Sequence, residues 1–218
     1  MITASQLLPC GAHALLVELD DTRAVLAAAA AIRARLAVGD GAFTDVVDVV
    51  PAATTVLVTI AGSDLDRLRT GLLRLEPDPG PEGDVAAAEV VVEVHYDGPD
   101  LDEVARRTGL EVAEVVAAHT RSPWRSAFGG FAPGFAYLVG GDDRLRGVPR
   151  RCSPRSLVPS GSVALAGGYS AVYPRSSPGG WQLIGRTDLP VWSLDRDPPA
   201  LLAPGTTVRF VDADGAAS

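Results

Sequence analysis

The sequence predicts an α+β protein of two domains, a small N-terminal α/β sandwich followed by a C-terminal β-barrel. Three observations carry this. Up to about residue 75, strand-like and helix-like segments alternate in the order strand–helix–strand–strand–helix. A run of breakers, Pro77-Asp78-Pro79-Gly80-Pro81-Glu82-Gly83-Asp84, then interrupts the pattern. Beyond about residue 121, Gly and Pro recur every few residues between short apolar runs, which suits a closed or partly closed barrel better than a helical layer.

The elements follow in order. Ala14-Leu15-Leu16-Val17-Glu18-Leu19 reads as a strand. Asp20 or Asp21 can cap the alanine-rich helix that runs to about Val38. Asp45–Val50 and Thr54–Ile60 read as β-branched strands separated by Pro51. Ser63 is the expected N-cap of a helix from Asp64 to Leu75, with Leu65, Leu68, Leu72 and Leu75 at helical spacing. After the breakers come a strand, Glu89–Tyr96, and two short helices, roughly Leu101–Thr108 and Val112–Thr120, joined at Gly109. Ser162–Ala166 and Thr207–Val211 are typical of the short apolar runs that follow. The expected organisation is an N-terminal domain over 1–80, a linker over 77–88, a barrel domain over 89–212 and a tail over 213–218.

Composition bounds the function. The chain has 218 residues and 47% hydrophobic content, enough for a buried core and too apolar for disorder. A net charge of −8 argues against wholesale nucleic-acid binding. No apolar run is long enough to cross a membrane, and Met1–Gln6 lacks a basic start before an apolar core, so neither membrane insertion nor a signal peptide is expected. Cys10 and Cys152 are too few for a disulfide framework, which fits a reduced, cytoplasmic protein. All 19 basic residues are arginine. The lack of lysine excludes a Schiff base, a lysine base and a P-loop lysine, so if ATP is involved this chain does not hold it with a Walker A motif. Three scattered histidines and two distant cysteines lack metal-ligand spacing, and no metal site is expected.

Two loops combine Gly, Pro and aromatic residues: Gly129–Leu138, and Ser176–Thr187 with Gly179, Gly180, Trp181 and Arg186. Glycine lets backbone approach closely, an indole offers a stacking surface, and a guanidinium holds an anion. Phe131, Phe135, Tyr137, Tyr173 and Trp181 are barrel core or the wall of a cleft, and Ser162 suits the lining of a polar pocket. Arg186 beside Thr187 suits carboxylate recognition. Arg144, Arg146, Arg150, Arg151 and Arg155 read mostly as a solvated run balanced by Asp142 and Asp143, with Arg155 the member placed to point into a site. His119 ends a helix, where a protonated imidazole would favour the helix dipole or a proton-transfer role. The expectation is a pocket for a small polar or anionic molecule.

The same residues resemble a known family. Asp100-Leu101, Val104-Ala105, His119, Gly130-Phe131, Pro133-Gly134-Phe135, Tyr137-Leu138, Pro154-Arg155, Gly161-Ser162-Val163, Tyr173-Pro174, Ser177-Pro178-Gly179-Gly180-Trp181, Ile184-Gly185-Arg186-Thr187 and Asp195–Pro199 are similar to allophanate hydrolase subunit 1. That family takes in the Kip-type kinase inhibitors and the B-type subunit of 5-oxoprolinase. The match is dense over about 89–212. It departs at Tyr169-Ser170-Ala171, where Gln-Thr-Gly is common, at Ala136 in place of proline, and at Ser160 in place of alanine.

The resemblance implies a cyclophilin-like barrel and a subunit 2/C partner, in a heterodimer or heterotetramer, with a third, A-type subunit in the ATP-dependent hydrolysis of 5-oxoproline. No cofactor is expected on this chain alone. His119, Arg155 and Arg186 would be the catalytic set. Phe131, Phe135, Tyr137, Ser162, Tyr173, Gly179, Gly180, Trp181 and Thr187 would bind a small-molecule substrate. The alternatives are a module that inhibits a sensor histidine kinase, or a carboxyltransferase half working with a biotin-dependent urea carboxylase-like system.

Overall fold

The computed structural model describes residues 2–77 and 89–215, so residues 78–88 of the expected linker and 216–218 of the expected tail lie outside the described residues. The described chain separates into an N-terminal and a C-terminal unit.

In the N-terminal unit, β1 (Leu7–Pro9), β2 (Ala14–Glu18), β3 (Val46–Pro51) and β4 (Thr55–Ile60) form an antiparallel sheet in the order β1-β2-β4-β3. Leu15, Val17, Val56 and Val58 alternate onto one face and bury against Val25, Ala28 and Ile32 of α1 (Thr22–Ala37) and Leu68 and Leu72 of α2 (Leu65–Leu73). The Asp21 carboxylate caps α1 by accepting the Ala24 N–H at 2.8 Å. The cap of α2 falls one residue later than expected. Asp64 Oδ1 accepts the Arg67 N–H at 3.0 Å, and Ser63 contributes only its carbonyl, to Leu65 N–H. A carboxylate serves the positive helix end better than a hydroxyl. Pro51 ends β3 rather than separating two strands, and β3 lies at the sheet edge, where a missing N–H is tolerated.

In the C-terminal unit, β5 (Glu89–Val94) leads to α3 (Leu101–Thr108) and α4 (Val112–Arg121). Gly109 closes α3 at φ 71°, in the left-handed region that favours glycine. There follow β6 (Trp124–Gly129), β7 (Ala136–Gly140), β8 (Arg155–Val158), β9 (Ser162–Ala166), β10 (Tyr169–Val172), β11 (Ser177–Gly179), β12 (Gln182–Arg186) and β13 (Thr207–Asp212). Seven of these form one sheet in the order β12-β9-β10-β7-β6-β13-β5, with β13 and β5 parallel and the other pairs antiparallel. The two outer strands meet just past β5. His95 and Arg186 exchange backbone hydrogen bonds at 2.9 Å each, and Asp100 N–H reaches Leu183 O at 3.0 Å. The sheet is thus a nearly closed barrel.

Period-two alternation divides the barrel residues. Leu138, Val163, Leu165, Val172, Ile184, Val208 and Phe210 fill the inside, joined by Leu101, Val104, Val115 and Ala118 from the helices. Ala164, Ala166, Ala171 and Leu183 face the other way, into a second cluster with Phe135, Val158, Tyr173 and Trp181. There the separate β8–β11 ribbon contributes Val158.

Candidate functional site

Alanines on the outer side of β9 and β10 leave room above them, and large rings fill it. Phe135 packs edge-on against Trp181, Tyr173 and Tyr137, with centroids 5.6, 5.3 and 5.2 Å away. Tyr137 also meets Trp181 and Tyr169 at 5.6 Å and stacks on Phe128 at 4.6 Å. Phe131 rests its edge against Phe135 and Tyr173 yet stays 59% exposed. Its φ of 65° is strained for a side chain of this size, and the Ala132 N–H to Gly130 O bond of 2.6 Å closes a tight turn around it. Gly179 is required by close approach, because a Cβ there would collide with the Tyr173 hydroxyl. Burial raises the Tyr173 phenol, against a bond from the Trp181 backbone and the nearby Arg150 charge. One wall therefore gathers Phe131, Phe135, Tyr137, Tyr173, Gly179 and Trp181, with Gly180 turning the chain between β11 and β12.

The arginines sort by partner. Asp100, 3% exposed, accepts both Arg155 Nη atoms at 2.8 Å, Arg151 Nη1 at 2.6 Å and the Leu183 N–H at 2.8 Å. Burial alone would raise this carboxyl. The Arg155 hydrogen bonds, the Leu183 N–H and the two guanidinium charges outweigh it and hold Asp100 below its ordinary value. Arg155 is thus a clamp from β8 to the start of α3, with its guanidinium already engaged by a carboxylate that it shares with Arg151. Arg186 pairs with Asp97 at 2.9 Å, both about half exposed. Arg144 and Arg146 pair with Asp142 and Asp143. Arg150 differs. Its guanidinium carbon lies 5.9 Å from the centroid of the Trp181 ring, and it has no carboxylate partner among the described residues.

His119 lies inside the barrel, fully buried. Nδ1 bonds the Tyr96 hydroxyl at 2.7 Å and Nε2 bonds Ser170 Oγ at 2.9 Å, while the ring packs on Phe210 at 4.2 Å and Trp124 at 5.2 Å. Burial pushes its pKa down to about 3. The protonated helix cap considered from the sequence is therefore replaced by a neutral core imidazole, because desolvation outweighs the helix dipole. A small molecule outside the barrel has no access to it.

Ser162 is also buried and donates to Pro159 O at 2.8 Å. Thr187 borders a cleft of about 240 Å³ between Ser160-Gly161, Tyr173-Pro174 and the Thr187–Trp192 loop, and its hydroxyl accepts the Leu189 N–H at 3.2 Å. Gly134, at φ 81°, lets the Phe131 loop press against Trp192 of that cleft. Tyr173 joins cleft and wall. The structure thus brings the aromatic candidates together and places His119 inside, Arg155 beneath the ribbon and Arg186 at the seam.

Three contributors to this site were not singled out from the sequence: Phe128, Arg150 and Gln182. Arg150 was hidden in an arginine-rich run, and only its position just after Pro149 and shortly before Pro154-Arg155 sets it apart. Among the described residues, no group of three or more His, Cys, Asp or Glu could hold a metal ion, and no helix is long and apolar enough to cross a membrane.

Residues 5–202 match the family model described as carboxyltransferase domain, subdomain C and D. Among curated proteins, the chain is 49% identical over 114 residues to the 5-oxoprolinase B-subunit of Escherichia coli O157:H7, an alignment covering 52% of each chain. It is 47% identical over 114 residues to the 5-oxoprolinase B-subunit of Bacillus subtilis (strain 168), covering 52% of this chain and 47% of that protein. The chain therefore spans about half the length of these relatives. Among solved structures, TTHA0988 superposes with a TM-score of 0.73 at 32% identity, covering 92% of this chain and 40% of that one. The K. lactis urea amidolyase superposes with a TM-score of 0.76 at 18% identity, covering 95% of this chain and 15% of that one, a likeness of fold.

Proposed function

The chain belongs to the carboxyltransferase domain, subdomain C and D, family, and from that premise we infer that it acts as the B-type subunit of an ATP-dependent 5-oxoprolinase-type amidohydrolase. The observation that carries this reading is the 47–49% identity to proteins named as B-subunits of 5-oxoprolinase. In this reading the C-terminal unit is a domain of cyclophilin-like form, and the aromatic wall binds 5-oxoproline or a related amide or urea-type substrate.

The chain's own part is to bind and orient. The wall excludes water from one side of the ligand, and Phe131 and Tyr173 connect it to the Thr187–Trp192 cleft. The Ser170–His119 pair is sealed inside the barrel, so nucleophile activation falls to a partner. ATP falls to a partner as well, since this chain has no lysine for a phosphate loop. A subunit 2/C homologue completes the site in a heterodimer or heterotetramer in the cytoplasm, with a third, A-type subunit.

Co-expression with homologues of the subunit 2/C and A-type partners should yield a complex that converts 5-oxoproline to glutamate with consumption of ATP. A stable complex that leaves 5-oxoproline untouched would overturn the reading. A second reading, the carboxyltransferase half of a biotin-dependent urea carboxylase-like system, is favoured by the fold likeness to urea amidolyase. It predicts that, with the subunit 2/C homologue and a carboxylated biotin carrier supplied, the carboxyl group passes from carboxybiotin to urea and leaves free biotin on the carrier.

A further inference from the structure

Of the five arginines between 144 and 155, four are paired with aspartates: Arg144 with Asp142, Arg146 with Asp143, and Arg151 and Arg155 with the one carboxylate of Asp100 that they share. Arg150 is the exception, and its surroundings hold it in place. The carbonyl of Pro149 accepts from Gln182 Nε2 at 3.1 Å, and Gln182 is almost wholly buried. On the other side, the Arg151 N–H donates to Gly180 O at 2.7 Å while its side chain is tied to Asp100. Both neighbours of Arg150 are thus pinned to residues that flank Trp181, and the guanidinium is set over the Trp181 ring.

A guanidinium lying against an aromatic ring is attracted by the ring's negative face, and its five in-plane N–H donors remain free for a planar acceptor. A carboxylate matches that fork in a bidentate way, which a lysine could not do. The Arg150 charge also acts on the Tyr137 and Tyr173 phenols, so two hydroxyls share its field.

We propose that Arg150 is the anion-recognition residue of the aromatic wall, holding the carboxylate of a small planar substrate while its ring or amide lies toward Tyr137 and Tyr173. This moves anion recognition from Arg155 and Arg186, whose guanidinium groups Asp100 and Asp97 already engage, to the arginine held over Trp181. That the ligand is 5-oxoproline rests on the proposed function; that it carries a carboxylate rests on the geometry of Arg150 alone.

Two measurements on wild type, Arg150→Gln and Arg175→Gln test it. Arg175 is also exposed and serves as the control. Tryptophan fluorescence of the chain is titrated with 5-oxoproline, with succinate and with 2-pyrrolidinone, which keeps the lactam and lacks the carboxylate. Steady-state kinetics are run on the complex. Loss of one bidentate charge-assisted pair should raise the 5-oxoproline KM by about 10- to 100-fold in Arg150→Gln, with kcat within roughly threefold and Arg175→Gln unchanged. 2-Pyrrolidinone should bind wild type and Arg150→Gln alike. A KM in Arg150→Gln within about twofold of wild type overturns the proposal and leaves the function standing. If the complex never turns over 5-oxoproline, yet succinate binds wild type and not Arg150→Gln, the carboxylate site stands and the function falls. No saturable carboxylate binding by any form overturns the proposal, and the function is then decided by turnover in the complex alone.

Discussion

The barrel carries two aromatic clusters, each with one basic residue, on opposite sides of the same strands. Inside, His119 is surrounded by Tyr96, Trp124, Phe210 and Ser170. Outside, Arg150 lies over Trp181 beside Tyr137 and Tyr173. The residue types are much alike, but the chemistry is not. The enclosed imidazole has both nitrogens occupied and gives up its charge, because a buried cation with no anion is costly. The outer guanidinium keeps one side to solvent and one to an aromatic face, so its donors remain available to a ligand. Position relative to the barrel wall, more than residue type, decides which cluster holds the fold and which can meet a ligand.

The largest effect that would break this contrast is at the inner cluster. His119→Ala should destabilise the C-terminal unit by about 3–4 kcal/mol, from a cavity plus unpaired Tyr96 and Ser170 hydroxyls. Urea unfolding followed by fluorescence, with Trp124 against the ring, measures it. The same residue predicts a pH dependence. The folded chain leaves His119 unprotonated down to about pH 3, whereas the unfolded imidazole binds a proton near its ordinary value of 6.5. Its contribution is therefore complete above about pH 6.5 and declines as pH falls toward 3, by up to ~1.4 kcal/mol per unit. His119→Gln should flatten that decline, and an unchanged slope would refute a neutral buried imidazole.

Asp100→Asn should cost about 2–3 kcal/mol, since Arg155 and Arg151 lose the carboxylate they share beneath the ribbon. It should also loosen Arg151, and with it Arg150, so carboxylate affinity in the fluorescence titration should fall as well. The smallest effect belongs to Phe131. Replacing it by glycine relieves the positive φ and should stabilise the chain by roughly 0.5–1 kcal/mol in thermal unfolding, while weakening ligand binding. A loss of stability instead would mean that the exposed ring contributes more to the fold than its contacts with Phe135 and Tyr173 indicate.

Much of the local structure was legible. The strands at Ala14, Ser162 and Thr207, both helices around Gly109, and the Asp21 cap all rest on periodicity and capping within a few residues. The Asp64 cap was missed by one position, because serine and aspartate are both common caps, and the carboxylate's charge and its bond to the Arg67 N–H decide between them. The ribbon of β8 and β11 was not legible. Its strands are four and three residues long, and Ser176, which bonds the Val158 carbonyl, lies 18 positions further along the chain. Nothing local announces the pairing.

The candidate site divides the same way. The sequence by itself offered most of the residues that could form it: the glycines that permit close approach, most of the rings and the arginines, with the absence of lysine excluding a phosphate-loop lysine. Only the tertiary structure decided their roles. His119 faces inward because α4 packs against the barrel. Arg155 and Arg186 are matched by Asp100 and Asp97, 55 and 89 positions away in the chain, and Arg150 is held over Trp181 by Gln182 and Gly180. Charge pairing and burial act through space over a few ångströms, and spacing along the chain carries almost no record of them once the partners are tens of residues apart.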